Sequence, residues 1–267
     1  MKTIITLLIG CAGLVAQDAA NRFTVPFSDP SRPRIVTGTM NNSCFAVEGY
    51  DGKDVVVETH GGDHESHRSP HGAEGLKRIE PTGMGLTVEE DNNTVHIHSN
   101  SGSGGNLVLR VPFDTSLQLK CLNGGDITVH HVNGNLELEN LNGAVTATNV
   151  SGTVLAHSLN GRVLVSMDRV TAGKPMSFSS LNGDVDVTLP GDTKGTVKMK
   201  TDNGEIYSDF EVKLNPTSSM PVVEDGRPHG GKYRVKVDKT TVGTINGGGP
   251  DMEFKTFNGN IYIRKKK

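Results

Sequence analysis

The chain has 267 residues, with 27 Lys and Arg against 30 Asp and Glu and a formal charge of −3. Nucleic-acid binding needs a concentrated basic face, and this balance argues against one. Aromatics are only 4% of the chain, Trp is absent and Gly numbers 33, so an aromatic-rich globular core is excluded in favour of short, stacked aliphatic strands.

The first residues read as an export signal. Lys2 precedes the run Thr3 to Ala16, which is apolar or small apart from Thr3 and Thr6, and Gln17, Asp18 and Asn21 follow. Such a run is too short to span a bilayer and suits the core of a signal peptide over residues 1–16. Two processing modes fit. Leu14-Val15-Ala16 suits cleavage after Ala16, whereas Leu8-Ile9-Gly10-Cys11 resembles a bacterial lipobox that would lipidate Cys11. In the second case the lipid is the chain's contact with the membrane. The expected location is the periplasm, the outer envelope or the cell surface. Losing Lys2 with the signal takes the formal charge from −3 to −4. An oxidising compartment permits Cys44 and Cys121 to pair, but nothing in the sequence places them together, and two buried free thiols are expected.

Strands are predicted over Arg34 to Thr39, Cys44 to Val47, Asp54 to Thr59, Gly85 to Glu89, Thr94 to His98 and Asn106 to Val111. Residues 17–112 are read as a β cap continuous with the repeats, because a solenoid needs its open end covered. From residue 113 onward the chain repeats itself. Leu-Asn-Gly begins at Leu122, Leu141, Leu159 and Leu181, with Val-Asn-Gly at Val132, Val-Ser-Gly at Val150, Asp-Asn-Gly at Asp202, Ile-Asn-Gly at Ile245 and Phe-Asn-Gly at Phe257. The unit is nine or ten residues, often paired into about twenty. Asn and Gly tolerate the positive φ of a tight reversal. Strict alternation follows each turn, as in Ile127 and Val129, Val145 and Ala147, or Val185 and Val187, with polar neighbours between. The apolar residue before each Asn-Gly is expected to turn inward.

An antiparallel meander and a solenoid both fit this pattern, and the near-constant unit favours a solenoid of about twenty residues per coil. Met220 to Gly231, rich in Pro and Gly, reads as an excursion loop before the chain returns through Tyr233 to Val237 and ends on Ile261 and Ile263. Arg264 to Lys267 reads as a solubilising tail. The predicted fold is all-β: a single-stranded β-solenoid or β-helix over residues 113–267 with an N-terminal β cap.

Beside the Asn-Gly repeats stand the block Asp168 to Met176 (DRVTAGKPM), the block Asn203 to Phe210 (NGEIYSDF) and the closing Gly243 to Pro250 (GTINGGGP). On these residues the chain resembles the bacterial putative-adhesin family, from roughly Arg34 to the end. The resemblance implies an envelope β-solenoid and brings no catalytic residue to transfer.

Four histidines, His60, His64, His67 and His71, lie close together with Asp63 and Glu65 among them, a density that can bind Zn²⁺, Ni²⁺ or Cu²⁺. Gly61, Gly62, Pro70 and Gly72 argue against the helix that would align them, so the segment is read as a polar loop and no metal or cofactor is expected. Acids follow some turns (Asp126, Asp184, Glu205), as in β-helical enzymes acting on polysaccharide, where paired carboxylates are required. The equivalent positions Asp126, Asn135, Ala144, Thr153, Arg162 and Asp184 make no sustained acidic row, so no catalytic residue is assigned. Gly102 to Gly105 lacks the Gly-Lys-Ser/Thr of a phosphate loop. Leu155 and Leu164 fall on the outward phase of their strands, nine residues apart, and suggest a partner surface if they align. The function expected is that of a non-catalytic envelope protein, adhesin-like or scaffolding, that binds a glycan, a surface polymer or an envelope protein. An extracellular polysaccharide-active enzyme and metal binding through the histidine segment are the alternatives.

Overall fold

A computed structural model describes residues 22–61, 85–99, 105–216, 222–225, 233–236 and 239–267. The expected signal over residues 1–16, Cys11, His64, His67 and His71 lie outside these residues. In chain order the strands begin with Arg22–Val25 (β1), Arg34–Met40 (β2), Cys44–Tyr50 (β3), Val55–Gly61 (β4), Leu86–Asp91 (β5), Thr94–Ser99 (β6) and Gly105–Pro112 (β7). The central run is Thr115–Cys121 (β8), Ile127–His130 (β9), Asn133–Asn140 (β10), Val145–Ser158 (β11), Val163–Val170 (β12), Met176–Ser180 (β13) and Val185–Leu189 (β14). Gly195–Asn203 (β15), Ile206–Ser208 (β16), Val212–Leu214 (β17), Val222–Asp225 (β18), Tyr233–Lys236 (β19), Thr241–Ile245 (β20), Asp251–Asn258 (β21) and Ile261–Lys265 (β22) complete the chain.

Successive units pair in parallel, which selects a solenoid over a meander of hairpins. One sheet, A, runs β6, β2, β8, β10, the second half of β11, β13, β21 and β15, every neighbour parallel. The other, B, runs β7, β3, β9, the first half of β11, β12, β14, β22 and β16, again all parallel. Each coil is one strand from each sheet. At the first corner the chain leaves sheet A through Asn-Gly, and at the second it returns from sheet B to sheet A. The nine-residue spacing is therefore the distance from one corner to the other.

Coil order departs from chain order at both ends. The β2–β3 coil lies between β6–β7 and β8–β9, although β6–β7 follows it in sequence. The final β21–β22 coil likewise lies between β13–β14 and the earlier β15–β16. The β2–β3 and β21–β22 coils are thus each clamped between two others. Residues read as a cap supply two full coils, and the covering falls to antiparallel strands instead. Strand β5 closes β6, while β4 and then β1 close β7. At the far end β20 and then β17 close β15. Part of the expected excursion loop is a hairpin, since β18 pairs antiparallel with β19.

Alternation sorts the side chains. Val47, Val129, Ala147, Val165, Val187 and Ile263 share one buried row of sheet B, and Leu119, Leu138, Ala156, Phe178, Phe254 and Met199 share one of sheet A. Because every coil repeats the same row, each strand needs only two or three aliphatic residues to close the core. Phe178 and Phe254 stack at 5.2 Å between ring centres where the final coil is inserted.

The Asn-Gly corners obey a different rule from the one expected. Among the described residues with positive φ, Asn246 is the one Asn of an Asn-Gly pair, so the motif is not generally a left-handed reversal. Asn builds a ladder. Asn123 donates to Asn41 at 3.4 Å, and Asn142, Asn160, Asn182, Asn258 and Asn203 each donate from Nδ2 to the Oδ1 of the residue one coil down at 2.7–2.9 Å. Gly is required by crowding. A Cβ on Gly161 would lie 2.2 Å from the Gly143 carbonyl oxygen, and one on Gly183 2.4 Å from that of Gly161. Two residues before each of Asn142, Asn160, Asn182, Asn203 and Asn258 a polar side chain donates to a glycine carbonyl one coil away, whereas the disulfide cysteine Cys121 holds that place before Asn123. Ser158 bonds Gly143, Ser180 bonds Gly161 and Thr256 bonds Gly183, each at 2.8 Å.

The residue between these two points outward. Val132 and Val150 at the second corner are buried as expected, but Leu141 and Leu181 at the first are 38% and 40% exposed. Alternation forces this, because the buried Asn140 or Ser180 has already taken the inward phase. Cys44 and Cys121 form a disulfide rather than two free thiols, tying the inserted N-terminal coil to the next one. Pattern could not reveal this, since the two residues meet only because β2–β3 is inserted.

Candidate functional groove

The second corner is concave along the axis. Its floor is bare backbone, because Gly134 and Gly152 stand in register and a Cβ on either would strike a carbonyl oxygen at 2.4 or 2.1 Å. A hollow of about 400 Å³ is lined there by Ser116, Asn133, Asn135, Ser151, Arg169 and Thr171, together with Gly134, Gly152 and Val170. Its rim is pre-ordered. Thr153 Oγ1 donates to Asn135 Oδ1 at 2.6 Å, and the Asn135 N–H donates to Ser116 Oγ at 3.2 Å.

Arg169 and Val170 also line a second hollow of about 540 Å³, so the two adjoin at this wall. This one is walled by Asp168, Ala172 and Gly173 after β12, by Pro190, Asp192, Thr193 and Lys194 before β15, and by Gly248, Gly249 and Pro250 before β21. The Asp168 to Met176 block and the closing Gly243 to Pro250 block, far apart in sequence, converge on this groove. Asp168 is held by the Lys266 ammonium. Asn246 Nδ2 donates to the Thr193 and Gly191 carbonyls at 2.7 and 3.1 Å, fixing one wall. The Thr193 hydroxyl is buried without a hydrogen-bond partner among the described residues.

Other expected sites come out differently. Leu155 is 44% exposed on sheet A, beside Glu137 and Ser177, whereas Leu164 lies on sheet B beside Thr146 and Asp186. They share a coil but face different sheets and form no common surface. His60 in β4 pairs with Asn106 of β7, and the other three histidines lie outside the described residues. Two of the three acids after the first corner are backbone acceptors, and the third, Glu205, accepts from the Tyr207 hydroxyl. Asp126 accepts from the Ala144 N–H and Asp184 from the Asn260 N–H, both at 2.7 Å. Asn135 and Thr153 belong to the opposite corner, so the six positions taken as equivalent are two separate rows.

The basic run is tied down. Arg264 makes a two-pronged pair with Asp186 at 2.8 and 3.0 Å and lies over Tyr262, while Lys265 lies over Phe210. Asp186 holds the Arg264 guanidinium more firmly protonated. Tyr207 stacks on Tyr262 at 5.3 Å, and the Glu205 carboxylate accepting its hydroxyl pushes the phenol up. Sequence reasoning missed the groove itself. Its residues are small and polar, and the available signal was that two distinctive blocks had no structural role in the repeat.

The fold is thus an all-β solenoid repeat with a glycine-floored groove along one corner. Residues 134–246 match the family model Toastrack DUF4097. The match contains the Asp168 and Asn203 blocks and stops at Asn246, before the inserted final coil. Among solved structures, a putative cell adhesion protein from Clostridium sporogenes ATCC 15579 is similar at 10% identity, covering 92% of this chain and 99% of its own, with a TM-score of 0.42. A putative adhesin from Bacteroides fragilis NCTC 9343 is similar at 10% identity, covering 93% and 99%, with a TM-score of 0.36. No curated protein matches the sequence.

Proposed function

We propose that the chain is a non-catalytic, adhesin-like module of the cell envelope that lays an extended surface polymer along the second-corner groove. The observation that carries this reading is that the two hollows adjoin along the corner, sharing Arg169 and Val170 as their common wall. A linear groove with pre-ordered hydroxyl and amide rims suits a repeating polyhydroxylated chain, which is bound through many modest contacts. Use of Asp126 and Asp184 as backbone acceptors supports a binding role over a catalytic one. The Cys44–Cys121 disulfide supports an oxidising, exported location.

The test is affinity electrophoresis of the full mature chain through gels carrying dextran, xylan or polygalacturonate, with co-sedimentation on peptidoglycan sacculi. Thr171→Trp, which fills the groove from an exposed position, should abolish retardation while leaving the melting temperature unchanged. Retention of binding by this variant would place the polymer elsewhere and sink the reading.

A further inference from the structure

We infer that the groove selects an anionic polymer, with Arg169 as the residue that reads the negative group; this rests on the groove being the polymer site. Arg169 is the one charged side chain in the wall of the first hollow, where its neighbours are Ser116, Asn133, Asn135, Ser151 and Thr171. It also stands in the wall of the second, so a chain lying along the axis must pass it. Neither Arg169 nor Lys194 has an acidic partner among the described residues, in contrast to Arg264 and Lys266, which are both paired.

Charge around the groove runs against that of the whole chain. Lys194 lines it, and Lys174 Nζ reaches Asn135 Oδ1 on its rim at 3.5 Å. Of the two acids in the wall, Asp168 is already neutralised by Lys266, leaving Asp192. Arg169, Lys174 and Lys194 therefore face one uncompensated carboxylate in a protein whose formal charge is −3. A planar guanidinium can grip a carboxylate or phosphate with two parallel hydrogen bonds, while the surrounding hydroxyls and amides bond the polymer's own hydroxyls. The shared chemistry is an anionic polyol chain, and its charge can come from a uronate carboxylate or a phosphodiester.

The experiment titrates the full mature chain with polygalacturonate, poly(glycerol phosphate) and dextran by calorimetry, in 50 and 500 mM NaCl. At least one polyanion should bind about tenfold or more tightly than dextran and weaken at high salt. Which polyanion binds distinguishes the carboxylate from the phosphate source. Arg169→Gln should lose about tenfold in affinity for it, and Arg169→Lys should recover only part, since it lacks the fork. Lys255→Gln, on the exposed side of sheet A, should change nothing. Dextran binding as well as the polyanions, or equal losses from Arg169→Gln and Lys255→Gln, would overturn the inference and leave the groove reading standing. Failure of all three polymers would remove both.

Discussion

Asn258 and Asn182 are 76 residues apart in the chain, yet Asn258 Nδ2 donates to Asn182 Oδ1 at 2.8 Å as adjacent rungs of one ladder. Asn203, which precedes Asn258 by 55 residues, is the rung beyond it. The ladder records spatial order rather than chain order, and it shows the final coil slotted beneath an earlier one.

An interior rung should matter more than a terminal one. Asn160 donates to Asn142 and accepts from Asn182, whereas Asn203 donates to Asn258 at the outer end. Asn160→Asp sets two acceptor oxygens against each other and should cost about 1–3 kcal/mol, with Asn203→Ala costing about 0.5–1.5 kcal/mol. At about 2–4 °C per kcal/mol for a chain of this size, thermal melts resolve the two.

Glycine substitutions should separate crowding from backbone conformation. Gly161→Ala drives a methyl into the Gly143 carbonyl and should destabilise by more than about 2 kcal/mol. Gly173 has φ +78° with open space around it, so Gly173→Ala should cost only about 1 kcal/mol of left-handed strain. Equal effects in denaturant titrations would contradict the close approach of neighbouring coils.

Legibility in the sequence divides along the same line. Period-two alternation after each turn identified the strands and their inward residues, because one buried face is a local property. Near-constant unit length favours a solenoid over a meander, and the parallel pairing decides it. Insertion of β2–β3 and β21–β22 was not readable, because parallel neighbours are chosen by which coil is free, not by which is next. The Cys44–Cys121 bond followed from that insertion and was lost with it. Asn-Gly was recognised as a corner for the wrong reason, since hairpin turns and coil corners share the dipeptide while only the corner needs its ladder. Arg169 and Thr171 belonged to a conspicuous block, but no periodicity pointed them into a groove.

The disulfide closes a separation of 77 residues and ties an inserted coil to its neighbour. Chain-entropy reasoning gives it about 4 kcal/mol, so reduction or a Cys44→Ala, Cys121→Ala double variant should lower the melting temperature by about 8–16 °C. Reduction of the double variant should have no further effect.

Acid should loosen the N-terminal edge first. Glu90 accepts from the Ser28 hydroxyl at 2.8 Å and from the Asn93 N–H at 2.9 Å, and these bonds, the Ser28 hydroxyl foremost, hold its carboxyl below the usual range. Asp29 is lowered in the same way by Ser31. A carboxyl depressed in the folded state contributes stability above the unfolded value of about 4.3 and loses it as the pH falls further. Amide protection in β1, β5 and β6, relative to the intrinsic exchange rate at each pH, should therefore fall below about pH 4 in the wild type. In Glu90→Gln that pH dependence should shrink.

Hydrogen–deuterium exchange of the full mature chain, alone and with saturating polygalacturonate or dextran, tests the groove most directly. Slowed exchange at the backbone amides of Asn135, Ser151 and Thr171 and around Gly248, with the Asn-ladder corner unchanged, is the predicted result. Protection confined to the ladder corner or to the exposed faces of sheets A and B would contradict it.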